Sequence, residues 1–93
     1  MNGAPTLQRD PTDPVEIARG HLWGKKPEDA IPLLQQVIEE YPGYGEAHHL
    51  LGCAYIETGE KSKAVQHLQE ALTINPKNIT ARLDMGRASR LPS

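Results

Sequence analysis

Residues 45–78 read GEAHHLLGCAYIETGEKSKAVQHLQEALTINPKN and decide the fold. Leu51 and Tyr55 lie four positions apart, so they share one side of a first helix. A second set of apolar and small residues recurs at i, i+4 and i+7, as on one face of a second helix: Ala64, Leu68 and Ala71. The stretch therefore predicts two amphipathic helices that pack against each other.

Small and helix-breaking residues define the ends and the spacing of these two helices. Gly52 has no side chain, so it lets the second helix approach closely. Gly59, between Thr58 and Glu60, is suited to end the first helix, and Asn75-Pro76 ends the second. The resulting helical hairpin leaves apolar surface uncovered, so we expect it to stack on neighbouring helices.

The spacing of this stretch resembles the tetratricopeptide repeat, whose 34-residue pattern is W-x2-L-G-x2-Y, then A-x3-F, then P. The positions that carry the resemblance are His48, Leu51, Gly52, Tyr55, Ala64, Leu68 and Pro76. His48 stands where the pattern has Trp, and Leu68 stands where it has Phe. His48, at the large-residue position of the first helix, is therefore expected to pack inside the hairpin.

The same pattern continues more weakly on both sides. Shifted back by 34 residues, the frame covers residues 11–44, and four positions of its second half match: Ala30, Leu34, Val37 and Pro42. Shifted forward, it covers only a first helix, at about residues 79–90. The resemblance implies an all-α fold: a short right-handed α-solenoid of antiparallel helix hairpins, with about five helices in two repeats and a C-terminal capping helix.

Local signals place the remaining helices. Asp13 suits an N-cap, Pro14 the first helical position and Glu16 a capping box, so a first helix is expected to about Trp23. Pro27 opens a second helix, in which Pro32 predicts a slight bend or a late start because it lacks a backbone donor. Asn78 is the expected N-cap of the last helix.

The tetratricopeptide-repeat domain is predicted over residues 13–91, after a mobile N-terminal tail at residues 1–12 that is rich in Pro and Gly. We expect removal of residues 1–11 to leave helicity and melting temperature unchanged. The single cysteine excludes an intrachain disulfide, and no apolar run reaches the length of a membrane span. Without an apolar segment of the signal-peptide type near Met1, a cytoplasmic location is expected.

Charge and motifs argue against several classes of function. The formal net charge is −2, with both signs interspersed, which argues against a nucleic-acid partner. No phosphate-binding glycine loop or catalytic motif is present, so we predict no enzymatic activity and no small-molecule substrate. Glu39 and Glu40 are adjacent and point away from each other on a helix, which is typical of a solvated face.

His49 and Cys53 are the residues with the spacing of metal ligands, one helical turn apart. Glu46 and Glu57 would be weak third and fourth ligands, so no metal or other cofactor is expected. Cys53 has no cation at i±3 or i±4 to lower the pKa of its thiol, so it is interpreted as a small apolar residue. His67 is expected to face solvent, and His21 to pack.

In proteins that this chain resembles, the first helices of the repeats line a concave groove. The resemblance places fourteen residues in a partner groove here: Val15, Arg19, Leu22, Trp23, Glu46, His49, Leu50, Cys53, Ile56, Glu57, Leu83, Asp84, Arg87 and Arg90. The groove is expected to have an apolar centre and charged edges, which suits an amphipathic peptide or helix.

One subfamily of these proteins binds the C-terminal carboxylate of heat-shock chaperones through a clamp of five residues, which are Lys, Asn, Asn, Lys and Arg. The corresponding positions here are Val15, Arg19, Leu50, Thr80 and Asp84, of which only Arg19 is cationic.

The resemblance and the groove together predict a non-enzymatic protein–protein interaction module, or scaffold, that binds a peptide or helix in its groove. The alternative is self-association into a homo-oligomer through the same groove or through exposed end faces.

Overall fold

The computed structural model describes residues 13–92, which form five α-helices and no strand. The helices are α1 (Pro14–Trp23), α2 (Pro27–Glu40), α3 (Gly45–Thr58), α4 (Lys61–Ile74) and α5 (Ile79–Ser89). Successive helices pack against each other, and α1 and α5 both also contact α3. The predicted fold class, an all-α solenoid of helix hairpins, is confirmed.

One sequence prediction concerns residues that the structure does not describe. The predicted mobile tail, residues 1–12, lies outside the described residues, and so does Ser93. Among the helices that are described, none has both the length and the hydropathy needed to cross a bilayer.

The helix ends follow the capping chemistry of the sequence. Asp13 Oδ1 accepts a hydrogen bond from the Val15 backbone N–H at 2.8 Å, and Asn78 Oδ1 accepts one from the Ala81 N–H at 3.0 Å. Gly59 ends α3 in the left-handed region, at φ 79°, where a side chain would be strained. These predicted caps are confirmed.

Proline 32 does not delay the start of α2. The helix begins at Pro27 and continues through Pro32 to Glu40. Pro32 lacks the N–H that would bond to the Glu28 carbonyl, so it removes one hydrogen bond from the helix while the flanking turns continue. Of the two predicted effects of Pro32, the late start does not occur, and the slight bend stays a prediction.

The core is built around α3, which has neighbours on several sides. Its buried residues are spread around the helix rather than along one stripe: Ala47, His48, Leu50, Leu51, Gly52, Ala54, Tyr55 and Ile56. Leu34, Leu51 and Leu68 are the largest side chains that are fully buried. At Gly52, helix α4 packs closely on α3. A Cβ atom at position 52 would lie 2.5 Å from Leu68 Cγ.

His67 is not a solvent-facing residue, contrary to the sequence prediction. Its ring stacks on His48 at 5.5 Å and on Tyr55 at 5.7 Å between ring centroids. His48 is buried, as expected, with Nε2 2.8 Å from the Pro42 carbonyl and Nδ1 3.3 Å from His67 Nδ1. A carbonyl can only accept, so His48 Nε2 carries a proton and His67 donates through Nδ1 when both rings are neutral.

This histidine pair predicts lower stability in mild acid. Burial, and next the nearby His48, lower the pKa of His67 below its ordinary value of 6.5. The unfolded chain therefore binds the His67 proton more strongly, so this stability is fully present above pH 6.5 and is lost as the pH falls through the folded pKa. Melting temperatures measured from pH 7.5 to pH 5 should decrease. The His67→Gln variant should show a smaller decrease, and an unchanged pH dependence in that variant would contradict this role.

Candidate functional site

Predicted groove residues at helical spacing on α1, α3 and α5 define a candidate surface, which we call the α1–α3–α5 face. Its members lie at i, i+4 on α1, at i, i+3, i+7, i+11 on α3, and at i, i+4 on α5 with one further residue at the C-cap of α5: Arg19, Trp23, Glu46, His49, Cys53, Glu57, Leu83, Arg87 and Arg90. Contacts between neighbouring helices hold much of this surface together, as the following bonds show.

An ion pair joins α1 to α3. Arg19 Nη2 donates to Glu46 Oε2, and the same nitrogen lies 3.6 Å from Glu16 Oε2 on its own helix. Burial would lower the pKa of Arg19, but the hydrogen bond and the negative charge of Glu46 outweigh it and raise that pKa. Arg19 is therefore a fixed positive charge that is already engaged by carboxylates.

A second polar network joins α3 to α5 around the carboxylate of Asp84, a buried residue. Asp84 Oδ2 lies 2.8 Å from His49 Nε2 and 3.2 Å from Cys53 Sγ. Arg87 Nη1 donates to the other oxygen, Asp84 Oδ1, at 3.0 Å. Arg87 also approaches Glu57, with Nη2 3.5 Å from Oε2. The sequence predicted these residues as separate groove positions. In the structure they come from two helices and form one cluster.

The protonation states in this cluster follow from its hydrogen bonds. Burial alone would raise the pKa of Asp84, but the hydrogen bonds from His49, Cys53 and Arg87 outweigh burial and lower it. Asp84 is therefore ionised at neutral pH and can only accept. Consequently, His49 Nε2 carries the proton that it shares with Asp84 Oδ2.

Cys53 is a neutral thiol at neutral pH. Burial, followed by the negative charge of Asp84 and the hydrogen bond to it, raises the pKa of the thiol to about 12. Arg87 lowers that pKa but is outweighed. A thiol this hard to ionise is a poor nucleophile at neutral pH, which argues against redox or covalent chemistry at Cys53 on its own.

Four apolar residues of the predicted groove do not present an open surface. Val15, Leu50 and Ile56 are buried, with exposed fractions of 3%, 8% and 8%, and Leu22 is half-buried against the same core. The expected apolar centre was wrong because α3 packs on several helices, so residues off its main stripe are also covered. The centre of the face is polar instead.

Two large apolar side chains of the predicted groove are exposed. Trp23, at the end of α1, is 80% exposed, and Leu83, on α5, is 68% exposed. Ile79 is 69% exposed at the start of α5 and was missed in the sequence, although its place as the first residue after an N-cap could have indicated it. Arg90 follows the last turn of α5 and is exposed.

Of two hollows in the described surface, one includes residues of the α1–α3–α5 face and the other does not. One, of about 570 Å³, lies beside the Arg19–Glu46 pair and includes His49, Ile74 and Thr80. A larger one, of about 800 Å³, runs along α4 and is lined mainly by polar residues, with Val65 among the others. The first is part of the predicted groove region, and the second was not predicted.

Comparison with known proteins gives consistent matches over the helical region. Two models described as tetratricopeptide repeats match residues 45–78 and residues 16–44. Anaphase-promoting complex subunit CDC16 of Saccharomyces cerevisiae is 32% identical over 69 residues, which is 72% of this chain and 8% of that protein. Cellulose synthase operon protein C of Escherichia coli is 43% identical over 47 residues, which is 50% of this chain and 4% of that protein. The chain thus spans less than a tenth of the length of either relative.

Proposed function

Because the chain belongs to the tetratricopeptide repeat family, we propose that it is a non-enzymatic protein-interaction module that binds a peptide or helix of a partner protein on its α1–α3–α5 face. Repeats of this family generally mediate protein–protein interaction. The exposure of Trp23 and Leu83, two residues of the predicted groove, is the observation that carries the proposal. Tryptophan and arginine are enriched among the residues that dominate binding energy at interfaces.

The charges of this face favour an amphipathic partner over a simple anion. Arg19 and Arg87 are both engaged by carboxylates, so neither offers a cation without a competing partner. Glu46 and Glu57 add negative charge beside them. A partner helix with apolar side chains for Trp23 and Leu83, and with charges of both signs between them, would match this pattern.

The fluorescence of Trp23, the only tryptophan, provides a test of this binding mode. In the free, dilute monomer its emission should be red-shifted because the side chain is 80% exposed. Emission should move to the blue when a partner covers the face. Trp23→Ala should weaken partner capture from a native lysate by about tenfold or more, which corresponds to roughly 1.4 kcal/mol.

A substitution in the hollow along α4 supplies the matched control. Gln66 is exposed on α4 and lines the larger hollow, so Gln66→Ala should leave capture of the same partner unchanged. Equal loss with Trp23→Ala and Gln66→Ala, or no loss with Trp23→Ala, would contradict binding on the α1–α3–α5 face. Circular dichroism spectra should be the same for all three proteins.

Self-association is a second candidate function, favoured by the exposed apolar side chains of α5. Ile79 and Leu83 lie four positions apart, so they share one side of the last described helix. Sedimentation over a wide concentration range separates this candidate from binding to another protein. A dimer that dissociates in the Leu83→Lys variant would support self-association, and a monomer at all concentrations would exclude it.

The cytoplasmic location predicted from the sequence stays a prediction. It can be tested by fractionation of cells that express the tagged protein. The chain spans less than a tenth of the length of these relatives, so the partners of the relatives do not identify the partner of this chain. The partner is defined only by its chemistry: an amphipathic protein segment.

A further inference from the structure

His49, Cys53 and Asp84 bring three different metal-ligating atoms to one place between α3 and α5. His49 Nε2 and Cys53 Sγ both lie within hydrogen-bonding distance of Asp84 Oδ2, at 2.8 Å and 3.2 Å. All three ligand atoms lie within 4.8 Å of one another. The sequence predicted no metal because it identified only His49 and Cys53, and the third ligand comes from a helix distant in the chain.

We propose that these three residues bind a zinc ion that bridges α3 and α5. Imidazole nitrogen, thiolate sulfur and carboxylate oxygen are the three kinds of ligand that zinc takes in proteins, at about 2.0–2.3 Å. Three such ligands leave a fourth tetrahedral position for water or for an oxygen of a partner. The inference does not rest on the proposed partner binding, because a bridging ion would stabilise the chain alone.

The internal repeat shows which other residues occupy the equivalent positions in this chain. Moving back by one 34-residue repeat relates His49, Cys53 and Asp84 to Val15, Arg19 and Leu50. At the α1–α3 contact, Val15 and Leu50 are buried apolar residues. At the α3–α5 contact the corresponding positions carry an imidazole and a carboxylate. Packing alone is satisfied by apolar residues in the first case, so it does not require the ligating set in the second.

Neighbouring groups are arranged as supports of a metal site. Arg87 holds Asp84 Oδ1 at 3.0 Å, which leaves Oδ2 for the ion and fixes the carboxylate plane. Glu57, 3.5 Å from Arg87, offsets part of the positive charge of the guanidinium. The side chains of His49 and Asp84 are 13% and 10% exposed, so the cluster is shielded but reachable from solvent.

Binding would exchange protons for the ion. The Cys53 thiol loses its proton to solvent and ligates as a thiolate. His49 moves its proton from Nε2 to Nδ1, or releases one if it is doubly protonated, so that Nε2 ligates. Because protons are released, affinity should rise with pH. The ion would replace the two hydrogen bonds to Asp84 Oδ2 and attach α5 more firmly to α3.

Titration of the full chain with zinc tests the proposal. The protein is freed of metal with a chelator, kept reduced with a phosphine and then titrated with zinc chloride. We expect one ion per chain and, at about one hundred times the dissociation constant, a rise of about 10–20 °C in melting temperature. Cobalt(II) in place of zinc should give a thiolate-to-metal charge-transfer band and the strong visible absorption of a tetrahedral site.

Variants of the ligands separate this site from other histidines. His49→Ala, Cys53→Ser and Asp84→Asn should each weaken zinc binding by at least about tenfold. His21→Gln, outside the cluster, should leave it unchanged. Cys53→Ser keeps a hydrogen-bond donor for Asp84, so it should stay folded while it loses the charge-transfer band. The absence of stoichiometric binding, or binding that persists equally in Cys53→Ser and Asp84→Asn, would overturn the proposal.

Discussion

Leu51→Ala and Leu68→Ala should each lower the free energy of unfolding by about 2–4 kcal/mol. Both side chains are 0% exposed in the core between α3 and α4, so truncation removes apolar contacts and leaves a cavity. A domain of this size is stable by only about 5–10 kcal/mol, so either change would be a large fraction of the total. Urea unfolding, followed by circular dichroism, measures the difference.

Leu83→Ala is the matched control for these two variants. The same side chain is removed, but Leu83 is 68% exposed, so the change should be within about 0.5 kcal/mol. Leu51→Ala or Leu68→Ala variants as stable as the parent would show that the hairpin core is packed differently. A loss in Leu83→Ala as large as in the core variants would show that α5 packs through Leu83.

Gly52→Ala and Gly86→Ala should have effects of opposite sign, although the two glycines occupy the same repeat position 34 residues apart. A Cβ at position 52 would lie 2.5 Å from Leu68 Cγ, 2.7 Å from Leu68 Cδ2 and 3.3 Å from the Ala64 carbonyl oxygen. Overpacking of this kind costs about 1–3 kcal/mol. A Cβ at position 86 meets no atom within 4 Å.

Gly86→Ala should therefore stabilise the protein by about 0.5–1 kcal/mol, because alanine favours a helix more than glycine does. Thermal melts of both variants provide the comparison. Equal destabilisation by the two substitutions would mean that Gly86 also faces a packed helix. Stabilisation by Gly52→Ala would contradict the close approach of α4 to α3.

The helix ends and the hairpin core could be predicted from the sequence because they depend on local chemistry. Asp13 and Asn78 cap through their own side chains, and Gly59 is favoured where the backbone turns left-handed. The small residue at position 52 and the large residue at position 68 are set by the spacing of one repeat. These features need no knowledge of the rest of the chain.

The surface could be predicted less well because it depends on contacts between distant helices. A single apolar stripe assumes that one side of a helix is buried, whereas α3 has neighbours on several sides and buries Leu50 and Ile56 too. The stacking of His67 on His48 and the bonds of Asp84 to α3 require the relative rotation of packed helices. Residue spacing within one helix does not specify that rotation.

Mapping amide chemical shifts by nuclear magnetic resonance tests most directly where a partner binds. The labelled chain is titrated with the partner segment recovered by capture, and shifts are assigned along all five helices. We expect the perturbed amides to cluster on α1, α3 and α5, around Trp23, His49 and Leu83, with the Val65 side of α4 unchanged. Shifts concentrated along the α4 hollow, with Trp23 and Leu83 unaffected, would contradict the proposed interaction face.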